Sequence, residues 1–496
     1  MRYVVLVLLL VLCPVEGAHA QAPAQAPARE GAQAPAKPPA AAGFALPNTS
    51  ARPWTGDFEG MVKRRRIRFL VPYSKTYYFV DRAVQRGLAY DITRIYEADL
   101  NKRRKTGHVR IDVQCIPVSR DEMIPALVAG RGDVVLGNLT ITPERLKHVD
   151  FTNPFRHDVS EVLVTGPGAD PVLSADDLAG KEIYVRKSSS YYESLEKLNA
   201  ELAAAKKSPV RIRLAPETLE AEDILEMVNA GLVKMTITET YIGEFWKQIF
   251  PKLTVHPNIA VRTGGDIAWM IRKQSPQLMT ELNGLLARVE KSGQRNELLQ
   301  RYFKSTRWAK SATSRDELAK FERTVALFRK YGEKYDVEYL LLMAQGYQES
   351  ELIQSKRSPV GAIGIMQVMP ATGRDMRVGD INQIEPNIHA GVKFLRAMMN
   401  EYYANEPMDR FNKGLFTFAA YNAGPGRVRQ LRKLAAQRGL DPNVWFNNVE
   451  LVAAEKIGRE TVTYVSNIYK YYLAYQLIEE ERAERQRTKE TIRQGN

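Results

Sequence analysis

The strongest constraint in this sequence is a change of periodicity near residue 310. Before it, short apolar runs alternate with helical spacing: Ile67–Val71, Asp91–Leu100, Ile111–Ile116, Met123–Ala129 and Asp133–Gly137 follow one another. Strands alternating with helices predict an α/β fold with a largely parallel sheet. After it the strand pattern stops, and residues 316–346, 389–403 and 461–478 carry apolar residues at helical spacing, such as Val392, Leu395, Met399 and Tyr402. A multidomain chain is expected, α/β first and all-α second, with the boundary at residues 305–318. Its 496 residues suffice for two or three folding units.

The N-terminus reads as an address rather than as structure. Arg2 precedes the apolar run Val4–Leu12, which is too short to span a bilayer, and Ala18-His19-Ala20 has the small-x-small pattern of a signal-peptidase site. Residues 1–20 are therefore expected to be removed, leaving Gln21 first. Cys13 follows Leu12, where a lipid-attachment signal wants a small residue, so acylation is not expected. Residues 21–47 are dominated by Ala and Pro, and a tether is expected over 21–60. The chain has two cysteines, Cys13 and Cys115, so the mature form keeps one and can form no internal disulfide. No Cys/His spacing suggests zinc, and neither a metal nor a cofactor is expected.

With 71 Lys and Arg against 57 Asp and Glu, the chain carries +14. That balance favours a polyanionic partner, whether nucleic acid, anionic lipid or an acidic polymer. No aromatic stripe interleaves with the basic runs, which argues against nucleic acid. The runs themselves, Lys63-Arg64-Arg65-Arg66 with Arg68, and Lys102-Arg103-Arg104-Lys105, read as a solvated strand end and a solvated loop.

Within the α/β half, Asp121-Glu122-Met123-Ile124-Pro125-Ala126-Leu127 is followed by Gly130-Arg131-Gly132-Asp133, Asn138-Leu139-Thr140-Ile141-Thr142-Pro143-Glu144-Arg145 and Val149-Asp150-Phe151-Thr152-Asn153-Pro154-Phe155. This block resembles the family 3 extracellular solute-binding proteins, over about residues 66–305. The resemblance implies two lobes around a hinge, a clamshell expected over 61–310, with a small carboxylate ligand between them. Arg145 would hold the ligand carboxylate, which suits a bidentate guanidinium. Asn138, Thr140 and Ser189 would add polar contacts, and Glu239 would face the ligand amine. The family usually has Asp at the last position and an acid where this chain has Lys234, so the ligand, an amino acid or a muropeptide, stays open.

In the helical half, Asp336 is placed to cap a helix. Val337, Leu340, Leu341, Ala344 and Tyr347 or Gln348 then form its buried face, with Glu349 and Ser350 at its end. A carboxylate at the end of an apolar helix can be partly desolvated, which raises its pKa toward what a general acid needs. Next come Ser358-Pro359-Val360-Gly361-Ala362-Ile363-Gly364-Ile365-Met366-Gln367-Val368-Met369-Pro370, then Ala419-Ala420-Tyr421-Asn422-Ala423-Gly424-Pro425-Gly426, then Glu460-Thr461-Val462-Thr463-Tyr464-Val465.

In this order the motifs resemble the soluble-lytic-transglycosylase, lysozyme-like catalytic domain. It is expected over residues 318–480, with 481–496 as a charged tail. The resemblance implies a periplasmic enzyme, held peripherally at the outer membrane, that cuts peptidoglycan glycan strands. Glu349 would be its catalytic residue and Ser350, Met366, Gln367, Tyr421, Asn422 and Tyr464 would bind substrate, with Tyr464 also positioning the acid. Glycosidases usually use two carboxylates. Only Glu349 stands in a motif as a strong candidate; Glu351, Asp375 and Asp380 lie outside. One carboxylate suits intramolecular closure of a 1,6-anhydro ring, while a water-using muramidase or a glycan-holding sensor are the alternatives.

Overall fold

The computed structural model describes residues 52–81, 83–306 and 315–494, without the side chains of 315–320, 480–482, 484–485 and 493–494. The signal-peptide reading, Cys13 and most of the tether lie outside the described residues. In chain order the elements are α1 (Phe58–Lys63), β1 (Arg66–Val71), β2 (Phe79–Asp81), β3 (Val84–Arg86), α2 (Leu88–Arg103), β4 (Asp112–Pro117), α3 (Met123–Val128), β5 (Val134–Thr140), α4 (Pro143–Leu146), β6 (Val149–Phe151) and β7 (Arg156–Thr165). Then come β8 (Glu182–Arg186), α5 (Ser190–Ala204), β9 (Arg211–Ala215), α6 (Ala221–Ala230), β10 (Met235–Glu239), α7 (Thr240–Lys247), β11 (Thr254–Arg272), α8 (Pro276–Lys291) and α9 (Gln294–Phe303). The helical part follows as α10 (Arg315–Tyr335), α11 (Tyr339–Ser350), α12 (Pro370–Met376), α13 (Ile384–Met398), α14 (Arg410–Ala423), α15 (Pro425–Gln437), α16 (Glu450–Lys456) and α17 (Arg459–Gln494).

These elements form two compact units, one of them Thr324–Thr417 and the other joining Pro47–Arg323 to Phe418–Asn496. In the larger unit seven strands make one sheet in the order β10-β7-β11-β5-β1-β4, with β6 beside β11. β1 runs parallel to β4 and β5, while β11 is antiparallel to β5, β6 and β7. The sheet is thus mixed, not largely parallel: β7 and β11 run back and forth between two lobes, and only antiparallel pairing lets them do so. β1 and β4 have five buried residues in succession, as strands covered on both faces require. The first lobe packs Leu70, Ile116, Met123, Leu127 and Val135. The second packs Val162, Leu225, Phe245 and Trp246 on one side of its strands and Leu163, Ile183, Leu195 and Ile237 on the other.

The first basic run is only partly solvated: Lys63 is exposed, but Arg68 turns inward. Asp133 is fully buried, and Arg68, also buried, binds it at 3.0 Å, with Arg64 and Arg272 beside it. A buried carboxylate needs such partners, and it draws the arginines inward. The second run ends α2 and stays at the surface, with Arg103 beside Asp99 at 2.9 Å. Residues 52–60 do not belong to a free tether: Trp54 donates to the Gly130 carbonyl at 2.8 Å, and Asp57 accepts from Gln277 and Leu278 amides at 2.9 Å, closing the first turn of α8.

Nor is 481–494 a separate tail, because it continues α17, a helix of 36 residues and about 54 Å. Lys470 on this helix lies 3.3 Å from Glu97 and 3.0 Å from Asp112 of the first lobe. The Tyr475 hydroxyl donates to the Ala83 carbonyl at 2.7 Å, and Leu477 packs on the first-lobe core. Further along, Lys489 reaches Asp223 of the second lobe at 3.0 Å, and Ile492 packs on that lobe's core.

The long helical run expected over 316–346 is two helices, α10 and α11. Asp336, expected as a cap, takes φ +54° in the bend between them, and Glu338 is the N-cap of α11. Helix α11 is also buried more completely than an amphipathic face predicts, since Leu340 through Gly346 are all buried.

Candidate active site

Glu349 is the penultimate residue of α11, half-buried, and the chain turns sharply just beyond it. Glu351 and Leu352 both occupy the left-handed region, at φ +59° and +60°, conformations that non-glycine residues hold only when their surroundings enforce them. Ser350 is fully buried; its hydroxyl donates to the Ile365 carbonyl at 2.9 Å and accepts from the Ile353 amide at 3.2 Å. The end of the helix that carries Glu349 is thereby tied to the Gly364–Gln367 segment.

That segment is a tight turn closed by reciprocal bonds between Ile363 and Val368, each 3.0 Å. Gly364 takes φ +76°, and a Cβ there would sit 2.6 Å from the side-chain amides of Asn387 and Gln354, so glycine is required on both counts. Met366 has no solvent-facing surface; it packs against Gly391, whose added Cβ would lie 2.5 Å from the Met366 Cβ. Its position here is that of a core residue. Gln367, at φ +44°, turns its amide nitrogen back to the Gly364 carbonyl at 2.8 Å. Its carboxamide nitrogen is thus engaged within the turn.

Tyr421 and Asn422, half-buried at the end of α14, and buried Tyr464, near the start of α17, belong to the larger unit. Asn422 accepts from the Thr461 hydroxyl at 2.6 Å and hydrogen-bonds Glu460. Partial desolvation pushes Glu460 up from the ordinary carboxylate value, against the Asn422 bond, while the residue keeps contact with solvent. Glu460 was read only as part of its motif; an acid in a first helical turn carries no local sign of a second partner.

Between the lobes lies a cavity of about 30 Å³, room for about two waters. Asn138, Arg145, Ser189 and Glu239 line it; Thr140 does not. Each expected ligand group already has a partner in the chain. Arg145, on α4, donates to the Thr140 carbonyl at 2.7 Å and the Ser188 carbonyl at 3.0 Å, and burial lowers its pKa. The Thr140 hydroxyl accepts from Ser190 at 3.3 Å. Ser189 caps α5 and donates to the Arg186 carbonyl at 2.6 Å. Glu239 accepts from Asn138 at 3.1 Å and from the Tyr191 hydroxyl; burial pushes its pKa up. Arg120 and Glu220, which sequence reasoning did not single out, pair across this cavity at 2.7 Å. Glu222 reaches the Lys75 amide at 2.6 Å and the Ser74 hydroxyl at 2.8 Å.

Two family models match the chain. The model of the bacterial extracellular solute-binding proteins, family 3, matches residues 71–305, and that of the transglycosylase SLT domain matches 326–443. The membrane-bound lytic murein transglycosylase F of Desulfosudis oleivorans is 24% identical over 82% of this chain and 89% of its own. That of Pseudomonas fluorescens is 26% identical over 82% and 84%, and that of Shewanella pealeana 28% over 71% and 74%. Among solved structures, an ancestral arginine-binding protein bound to arginine covers 48% of this chain and 99% of its own, with 21% identity and a TM-score of 0.41. The chain is a lytic transglycosylase in which a family 3 solute-binding domain precedes a transglycosylase SLT domain.

Proposed function

We propose that this enzyme cleaves the β-1,4 bond between N-acetylmuramic acid and N-acetylglucosamine in peptidoglycan and leaves 1,6-anhydromuramic ends. The observation that carries the reading is the placement of Glu349, half-buried at the end of a buried helix and beside a turn locked to that helix through Ser350. Partial burial suits a carboxyl group that must hold a proton near neutral pH. Glu349 gives its proton to the glycosidic oxygen as the bond to C1 breaks. As a carboxylate it then takes the proton of the muramic 6-hydroxyl, whose oxygen bonds to C1. Water is not consumed, and Glu349 ends protonated as it began. Ser350, Met366, Gln367, Tyr421, Asn422 and Tyr464 are proposed to shape the glycan site around it. Met366 acts from within the core, by setting the turn.

The solute-binding half is proposed to regulate this activity through a small carboxylate ligand, an amino acid or a muropeptide, held by Asn138, Arg145, Ser189 and Glu239. Its cleft is filled by the chain's own side chains, so a ligand enters only as the lobes part. Helix α17 supports the link, since it touches both lobes and also carries Tyr464. The mature protein is proposed to begin at Gln21 and to act in the periplasm, peripherally attached to the outer membrane. No helix among the described residues is long and apolar enough to cross a membrane.

Mass spectrometry of the fragments released from purified peptidoglycan tests the chemistry. Anhydro ends, one water lighter than hydrolysed ends, support the proposal; reducing muramic ends favour a muramidase.

A further inference from the structure

The turn beside Glu349 poses an accounting problem. Across Ile363–Met366, four backbone groups find side-chain partners from outside the turn. The Ile365 carbonyl takes Ser350; the Ile365 amide donates to the Gln354 side-chain oxygen at 3.2 Å. The Met366 amide donates to the Asn387 oxygen at 2.9 Å, and the Ile363 carbonyl accepts from the Asn387 nitrogen at 2.7 Å. Asn387 is fully buried in the first turn of α13 and also donates to the Ile381 carbonyl at 3.1 Å. Buried peptide groups are costly without partners, and a carboxamide is the side chain that offers both a donor and an acceptor at one site. Gly364, with no room for a Cβ against Asn387, lets that amide come close.

We infer that Asn387 is a positioning residue for the transglycosylase reaction: it fixes the Ile363–Gln367 turn against the Glu349-bearing end of α11. Ser350 holds the turn from the catalytic helix and Asn387 holds it from α13, so the turn has one height relative to Glu349. The inference rests on the proposed role of Glu349. A displacement of about 1 Å in such a frame costs up to about 10²-fold in rate.

The test compares Asn387→Ala, Asn387→Asp and Glu349→Gln in the full chain, reading kcat, KM and Tm on soluble glycan strands. Asn387→Ala is expected to lose about 10–10²-fold in kcat at temperatures where it is fully folded. Asn387→Asp keeps the acceptor for Met366 but as a carboxylate cannot donate to Ile363. Its kcat relative to wild type is expected to recover as pH falls and the carboxyl regains a proton, while the Ala variant shows no recovery. Should Asn387→Ala fail to fold, the pH profile of Asn387→Asp decides alone. Wild-type kcat in both folded variants, or parallel pH profiles in Asp and Ala, overturns the inference while Glu349→Gln stays inactive. Full activity in Glu349→Gln overturns the reading of the site and this inference with it.

Discussion

Arg120 of the first lobe and Glu220 of the second face each other across the cleft at 2.7 Å, and neither is more than a tenth exposed. The Glu220 carboxylate holds the Arg120 guanidinium by a bidentate contact at the N-cap of the second lobe's helix α6. Removing one partner leaves the other charge buried, a strongly unfavourable state that opening to water relieves. Glu220→Gln is therefore expected to shift the lobes apart, raising the radius of gyration in small-angle scattering and lowering Tm. An unchanged scattering curve and Tm would show that the pair does not latch the lobes.

Glu349→Gln preserves shape but cannot deliver the proton. Its turnover is expected to fall at least about 10²–10⁴-fold, with an unaltered circular dichroism spectrum. Retained turnover would move the acid to another residue.

Burial alone would raise the Glu97 pKa, but Lys470, Arg94 and the Val113 amide outweigh it and hold it down to about 2. A depressed carboxylate adds stability above its ordinary value of 4.5, and that contribution is lost as pH falls toward 2. Lys470→Met removes the main partner, so the variant is expected to be less stable near neutral pH by about 3–5 kcal/mol. The gap should narrow below pH 4.5. A gap that stays constant from neutral to acid pH in thermal melts refutes the assignment.

Gly391→Ala places a methyl group where the Met366 Cβ already lies, 2.5 Å away. Overpacking of this kind typically costs about 1–3 kcal/mol. A lower Tm and reduced turnover are expected; an unchanged Tm means that the turn yields freely.

Sequence pattern foretold what depends on local periodicity. Ile67–Val71 and Asp133–Gly137 became buried strands of the first lobe because consecutive apolar residues need cover on both faces. Glu349 stands out in the sequence because its neighbours form a dense motif. What stayed hidden depends on partners distant in the chain. Glu220 and Asp223 form the capping box that starts α6; that Glu220 also meets Arg120, a hundred residues away, has no local signature. The basic run at 63–68 looked solvated because Asp133, which draws Arg68 inward, lies 65 positions on. Asn387 shows only as a polar residue in an apolar helix, and its three bonds run to segments that the sequence leaves unplaced.

Helix α17 makes this protein modular in gene order but not in folding. A cut near residue 310 divides two recognisable modules, yet the part upstream holds Glu97, Asp112 and Asp223, the counter-ions of Lys470 and Lys489. An excised enzyme half would carry an unpartnered, formerly buried ammonium and bare apolar contacts at Leu477 and Ile492, a surface prone to aggregation. Recombination that swaps one solute-binding half for another must therefore carry matching residues on α17.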